Sequence, residues 1–253
     1  MGKFIVTGAA SGIGEAVCSR LEDDGETVIK VDRHNADIVA DLATPEGRRA
    51  ALQACLAASK DGLDGLVCCA GIGSTSPDVV MIPQVNFYGS IELLLGLKDA
   101  LAARSGAAVL VSSNSAPQDT DPNYVVALLS NNQEQLKTSL ATISGHAAYS
   151  GSKQAIAIWM RRNAPDYARS GVRLNAVAPG YTRTAMTEAT EKDPKYSAAI
   201  KDFLETIPLG RAGKVSEIAN VIGFLLCSEA SFVSGSLLYV DGGHDAMYRP
   251  NSI

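Results

Sequence analysis

The sequence predicts a doubly wound α/β fold, a sheet of parallel strands with helical crossovers on both faces. Three observations carry this. Short apolar runs alternate with helical patterns along the chain, the signature of parallel strands joined by helices. The first run ends in the glycine-rich turn Thr7-Gly8-Ala9-Ala10-Ser11-Gly12-Ile13-Gly14, a strand–turn–helix arrangement. No Pro/Gly/Ser-rich linker and no internal repeat divides the 253 residues, a length that suits one large α/β domain or two small ones.

Taken in order, Phe4-Ile5-Val6-Thr7 reads as a strand, and Gly12 to about Asp24 as a helix with Ile13, Val17 and Leu21 at helical spacing. Thr27 to Asp32 and Ile38 to Asp41 are the second and third strands. Thr44-Pro45-Glu46 starts a helix running to about Ser59, with proline at its first position. Leu66 to Cys69 is the fourth strand, Gln84 to Arg104 a long helical stretch, and Ala107 to Ser112 the fifth strand. Residues 115–146 break the rhythm. Ala147 to about Arg169 is a helix, Arg173 to Val177 a strand stopped by Ala178-Pro179-Gly180, Ser216 to Leu226 a helix, and Ser236 to Val240 the last strand.

Hydrophobic residues make up 46% and charged residues 19% of the chain, ordinary for a globular protein with a sizeable core. The net charge is −5 and no basic patch stands out, which argues against a nucleic-acid partner. Arg161-Arg162 fits the wet face of a helix. Cys18, Cys55, Cys68, Cys69 and Cys227 are odd in number and lack metal-type spacing, so no metal is expected. They read as free thiols in a reducing compartment. Cys68 and Cys69 should point to opposite faces of their strand. The strand at residues 4–7 leaves no room for a signal peptide, and no apolar run is long enough to span a bilayer. The expected location is cytoplasmic.

In the glycine turn, Gly8 permits the tight exit from the strand, Gly12 lets backbone approach a pyrophosphate, and Gly14 lets the helix pack on the sheet. The helix N-terminus, with Ser11 and Ile13, presents N–H groups and partial positive charge to phosphates. Asp32, closing the second strand, can accept hydrogen bonds from an adenosine ribose and repels a 2′-phosphate. This favours NAD over NADP, although Arg33 could soften the preference. Asp41-Leu42 is placed to touch the adenine edge. Farther along, Tyr149 and Lys153 stand four apart and share a helix face. A free phenol has a pKa of about 10, and an ammonium nearby is expected to lower it so that it can serve as an acid–base group. A serine at the end of the fifth strand can hold a substrate oxygen near the phenol. Ser112 and Ser113 are both open by that argument.

The chain resembles the short-chain dehydrogenase/reductases over nearly its full length. The matching pieces are Thr7-Gly8-x-x-x-Gly12-x-Gly14, Asp32, Cys69-Ala70-Gly71, Asn86, Ser113, Tyr149-x-x-x-Lys153, Pro179-Gly180 and Asp241-Gly242-Gly243. The resemblance implies a seven-stranded parallel sheet in a single Rossmann-like domain spanning 1–253. It also implies a catalytic tetrad of Asn86, Ser113, Tyr149 and Lys153, in which family position favours Ser113. The tyrosine would exchange the substrate proton, the serine orient the carbonyl, the lysine hold the nicotinamide ribose, and the asparagine anchor a water. Ala70, Gly71, Pro179 and Gly180 would line the coenzyme, and Thr182 and Thr184 would bond its carboxamide. One departure is that Cys68-Cys69 stands where the family has Asn-Asn, so the side-chain bonds of an asparagine are lost while the Ala70-Gly71 turn survives.

Ser113 and Tyr149 lie 149 − 113 = 36 positions apart, more than the family's usual spacing. The extra segment, about 116–145, reads as two short helices at Tyr124–Leu129 and Glu134–Lys137 joined near Asn131-Asn132. This insertion, the variant Cys-Ala-Gly turn and the ending Asp241-Gly242-Gly243-x-Asp245-Ala246-Met247-x-Arg249-Pro250 resemble the bacterial 3α-hydroxysteroid dehydrogenase/carbonyl reductases. The implied activity is NAD(H)-linked interconversion of 3α-hydroxy and 3-oxo steroids, with reduction of other ketones and aldehydes. The insertion should obstruct a four-helix contact used by most relatives, leaving a homodimer through the Ser216–Leu226 helix and last strand. A substrate lid is expected over about 182–209, with Met186, Tyr196, Ile200 and Phe203 as apolar surface. The alternatives are a secondary-alcohol dehydrogenase for a non-steroid substrate and a catalytically silent NAD-binding regulator. A nucleotide-sugar epimerase would normally carry a longer C-terminal region.

Overall fold

A computed structural model describes residues 1–184, 187 and 197–252. Strands β1 (Lys3–Thr7), β2 (Thr27–Asp32), β3 (Ile38–Val39), β4 (Gly65–Cys68), β5 (Ala107–Val111), β6 (Arg173–Pro179) and β9 (Leu237–Val240) form a seven-stranded sheet in the order β3-β2-β1-β4-β5-β6-β9. Every pairing is parallel, as expected. The order reverses between β1 and β4, the switch point at which open α/β sheets form their ligand crevice. A two-stranded ribbon of β7 (Thr182–Arg183) and β8 (Gly213–Lys214) lies in the stretch that carried no strand signal.

Helices flank both faces. On one side, α1 (Gly12–Asp23) packs beside the helix Val215–Leu226, with Val17, Leu21, Ile218, Ile222 and Leu225 buried against Val6, Val67 and Val109. Each such side chain contributes about 1.5–3 kcal/mol of apolar burial. On the other side, α2 (Pro45–Ala58) and α8 (Gly145–Arg169) cover a core containing Ile5, Leu66, Leu110, Leu174 and Met160. Thr44 Oγ1 accepts from Gly47 N at 3.0 Å and caps α2; Ser144 Oγ caps α8 by accepting from Ala147 N at 3.1 Å. Cys68 joins the α8-side core and Cys69 packs against the α1-side core, as strand alternation requires.

Three elements depart from expectation. Ile38 to Asp41 pairs only over Ile38–Val39, because Asp41 turns away and its carboxylate accepts from Ala43 N at 3.0 Å. The long helical stretch is segmented into α3 (Met81–Pro83), a π-helical turn at Gln84–Tyr88, α4 (Gly89–Gly96) and α5 (Lys98–Ala102). Such π turns recur at functional sites, and this one carries Asn86. The insertion forms α6 (Pro122–Leu129) and α7 (Gln133–Leu140), both starting earlier than the apolar pattern alone suggested. The side chains of Asp121 and Asn132 cap them. Met186 and Tyr196 lie outside the described residues. Among the described residues, no helix is long and apolar enough to cross a membrane.

Candidate active site

The glycine turn is fixed by contacts that exclude side chains. Gly8 has φ +67°, and a Cβ there would lie 2.8 Å from both Cα and N of Ala70, so the ends of β1 and β4 can approach only because residue 8 has none. A Cβ on Gly14 would overlap the Gly8 carbonyl. Thr7 Oγ1 accepts from Ala70 N at 3.1 Å, tying the two turns together. The sequence offers Thr7 only as a motif position just ahead of Gly8, with no sign of this side-chain bond. Ser11 is the N-cap of α1, yet its side chain makes no capping bond. Ile13, in the first turn, packs against the α1-side core.

Asp32 turns toward this loop. Its Oδ2 accepts from Ala10 N at 3.0 Å, and its Oδ1 contacts His34 Nδ1 at 3.2 Å and accepts from Arg33 N at 2.6 Å. The carboxylate is therefore held at the mouth of the glycine turn. Asp41 is exposed there, but Leu42 is buried in the core and packs near Gly89. Arg48 donates to the Leu42 carbonyl at 3.2 Å and pairs with Glu92 at 2.8 Å. The Leu42 side chain goes to the interior, leaving the Asp41 side chain and the backbone of this turn at the edge.

The candidate catalytic residues gather at the C-terminal ends of β4, β5 and β6. Tyr149 and Lys153 lie on one face of α8, with Lys153 Nζ 5.8 Å from the Tyr149 ring centre. The Ser113 hydroxyl lies near enough to the Tyr149 phenol to favour its charged form, and its Oγ accepts from Ser115 N at 3.1 Å. Ser112 points elsewhere and donates to the Lys153 carbonyl at 2.8 Å. The two adjacent serines, equivalent in the bare sequence, are separated by strand alternation. Lys153 is buried and donates to the Val111 carbonyl at 2.8 Å. A Cβ on Gly71 would lie 3.5 Å from that ammonium and 3.3 Å from Asn86 Oδ1, so the β4 turn opens directly onto the lysine. Asn86 is fully buried. Its Oδ1 accepts from Ile72 N at 2.8 Å, and its Nδ2 donates to Ile72 O at 3.1 Å and Ser152 Oγ at 3.2 Å. Asn86 thereby joins the β4 turn to α8.

Burial dominates the electrostatics. It holds the Tyr149 phenol above its ordinary value, with the Ser113 hydroxyl opposing. It pulls the Lys153 ammonium down to about 8, with Cys69 opposing. The expectation that the nearby ammonium lowers the phenol is corrected for the protein without coenzyme, because desolvation disfavours the charged form of each.

On the far side, Pro179 O accepts from Asn114 N at 3.0 Å and Gly180 N donates to Val240 O at 3.0 Å. Gly180 abuts Asp241, where a Cβ would meet the Asp241 Cβ at 2.6 Å. Thr182 Oγ1 donates to Gly180 O at 2.9 Å. The Thr184 methyl lies 3.6 Å from the position a Cβ on Gly12 would take, so the segment after β6 reaches back over the glycine turn. Ile200 is half-buried, and the Phe203 ring meets Tyr181 at 5.7 Å and His244 at 5.4 Å. His244, also unremarked in the sequence, is buried beside Asn114, with Asn114 Nδ2 3.3 Å from its Nδ1.

Residues 3–126 match the short chain dehydrogenase family model and residues 135–245 the enoyl-(acyl carrier protein) reductase model. A 3-alpha-hydroxysteroid dehydrogenase/carbonyl reductase of Comamonas testosteroni is 37% identical over 99% of both chains. A cis-4-hydroxycyclohexanecarboxylate dehydrogenase of Sinomonas cyclohexanicum is 32% identical over 96% of both. The crystal structure of the 3-alpha-hydroxysteroid dehydrogenase of Pseudomonas sp. B-0831, complexed with NADH, superposes with a TM-score of 0.92 at 42% identity, covering 99% of this chain and 100% of the other. Sequence, fold and site converge, and the chain is an oxidoreductase of the short-chain dehydrogenase/reductase family.

Proposed function

We propose that this protein interconverts a secondary alcohol and a ketone with NAD(H), that a 3α-hydroxysteroid and its 3-oxo form are the substrate pair, and that other ketones are reduced as well. The observation that carries this reading is the placement of Lys153 Nζ 5.8 Å from the Tyr149 ring on one face of α8, with the Ser113 hydroxyl near enough to the phenol to oppose its shift. The relatives named above act on 3α-hydroxysteroids and a hydroxylated cyclohexane, both secondary ring alcohols.

The residues present fit a dinucleotide. Gly8, Ser11, Gly12, Ile13 and Gly14 leave a backbone cradle that side chains would fill; Asp32 supplies a ribose acceptor and Asp41 a polar edge. Ala70, Gly71, Pro179, Gly180, Thr182 and Thr184 line the far end. Asp32 and the NADH bound to the Pseudomonas relative support NAD over NADP. When bound, the coenzyme supplies the hydride acceptor or donor. In reduction, Tyr149 Oη donates its proton to the carbonyl oxygen while Ser113 Oγ holds that oxygen in place. The raised phenol suits this direction, since it stays protonated at neutral pH. In oxidation, Oη must take the alcohol proton, and charge on Lys153 stabilises the phenolate. Asn86 fixes the turn that positions these groups.

The exposed Phe224 and Phe232, near the half-exposed edge strand β9, support a homodimer through the helix Val215–Leu226 and that strand. The five free cysteines support a reducing, cytoplasmic setting. The test of function is NADH formation from a 3α-hydroxysteroid, with the 3β-epimer and NADP as controls. Turnover confined to the 3α-epimer with NAD supports the reading. Activity on cyclohexanols with none on any steroid would replace the steroid by a smaller ring alcohol.

A further inference from the structure

The insertion braces the catalytic helix from behind. Tyr124 of α6 is fully buried, and its hydroxyl donates to the Ala148 carbonyl at 3.2 Å. Thr120, just ahead of α6, donates to the Ala147 carbonyl at 2.7 Å. These two carbonyls immediately precede Tyr149. Two residues after it, Gly151 leaves no room for a side chain: a Cβ there would lie 2.6 Å from Thr120 Oγ1 and 2.7 Å from Tyr124 Cδ1. At about 100° per residue, Gly151 sits roughly 160° around the helix from both Tyr149 and Lys153. The insertion therefore presses on the face opposite the reacting pair. Gln154 Nε2 adds a third tie, donating to the Ala116 carbonyl at 3.0 Å.

We propose that Tyr124 and Thr120 are positioning residues: their hydroxyl bonds to the carbonyls of Ala148 and Ala147 set where the first turns of α8 hold the Tyr149 phenol. Neither side chain touches Ser113 or Lys153 among the described contacts, so they act through the helix backbone. Both carbonyls also accept the helical N–H four residues on. The hydroxyls therefore aim and stiffen the turn without being needed to form it. Misplacing a reacting group by a fraction of an ångström slows the chemical step while leaving remote binding intact.

This inference rests on Tyr149 as the proton-transferring group. The test is steady-state kinetics per folded molecule for the whole chain and for Tyr124→Phe, Thr120→Val, Thr120→Ser, Leu136→Ala and Tyr149→Phe, with coenzyme affinity from fluorescence titration. Tyr124→Phe keeps the ring and Thr120→Val the shape; each should lower kcat roughly tenfold with coenzyme affinity unchanged. Thr120→Ser, which keeps the hydroxyl, should restore kcat. Leu136, buried in the insertion, reports on insertion stability: Leu136→Ala should lower Tm and leave kcat alone. Wild-type kcat in both Tyr124→Phe and Thr120→Val, beside an inactive Tyr149→Phe, overturns the inference while sparing the proposed chemistry. So does a fall in kcat for Leu136→Ala as large as theirs. A wild-type chain whose turnover does not depend on Tyr149 overturns both.

Discussion

Lys153 Nζ lies 5.8 Å from the centre of the Tyr149 ring and donates its hydrogen bond to the Val111 carbonyl, 2.8 Å away. The ammonium is thus anchored to β5 beside the phenol. Burial disfavours charge on either group alone, whereas a phenolate and an ammonium together stabilise one another.

The depressed lysine has a consequence for stability. Its folded pKa of about 8 lies below the ordinary 10.5. Between these values the unfolded chain holds a proton that the folded chain does not, so this group's contribution rises with pH across that window. Lys153→Met should therefore raise the urea midpoint relative to wild type below about pH 8. The difference should shrink toward zero as pH approaches 10.5. A difference constant with pH would show that Lys153 is not desolvated.

Asp32 should govern the choice of coenzyme. Replacing it with serine removes the charge that repels a 2′-phosphate and the acceptor that favours a ribose hydroxyl. The ratio of kcat/KM for NAD over NADP should fall by about tenfold or more, equivalent to about 1.4 kcal/mol. Because Asp32 also accepts from Ala10 N, NAD affinity itself should weaken. Competition kinetics with both coenzymes measures this, and an unchanged ratio would remove Asp32 from the adenosine site.

Gly8→Ala should be damaging through the backbone. An L-residue at φ +67° costs about 1–2 kcal/mol, and the new methyl would push β1 from the Ala70 turn. Tm and coenzyme affinity should fall together. Retention of both would mean that the β1 and β4 turns can separate at little cost.

Much of this fold was legible because alternation and glycine placement are local signals. Gly12 to Asp24, Thr27 to Asp32 and the Pro45 helix fall within a residue or so of the observed ends. The break of Gln84–Arg104 into a π turn and short helices was not legible: Asn86 bonds Ile72 and Ser152 across the structure, and no local pattern encodes that. Spacing placed Tyr149 beside Lys153 but not the direction of the phenol's shift, since desolvation depends on what packs around it. The role of Tyr124 was invisible because its partner, the Ala148 carbonyl, is backbone.

The most direct measurement compares wild type with Tyr149→Phe, following NADH formation from a 3α-hydroxysteroid and coenzyme binding in parallel. The account predicts that the variant loses roughly 10²–10⁴-fold or more in kcat while its NAD affinity stays close to wild type. Turnover retained by the variant, or NAD affinity falling in step with activity, would contradict it.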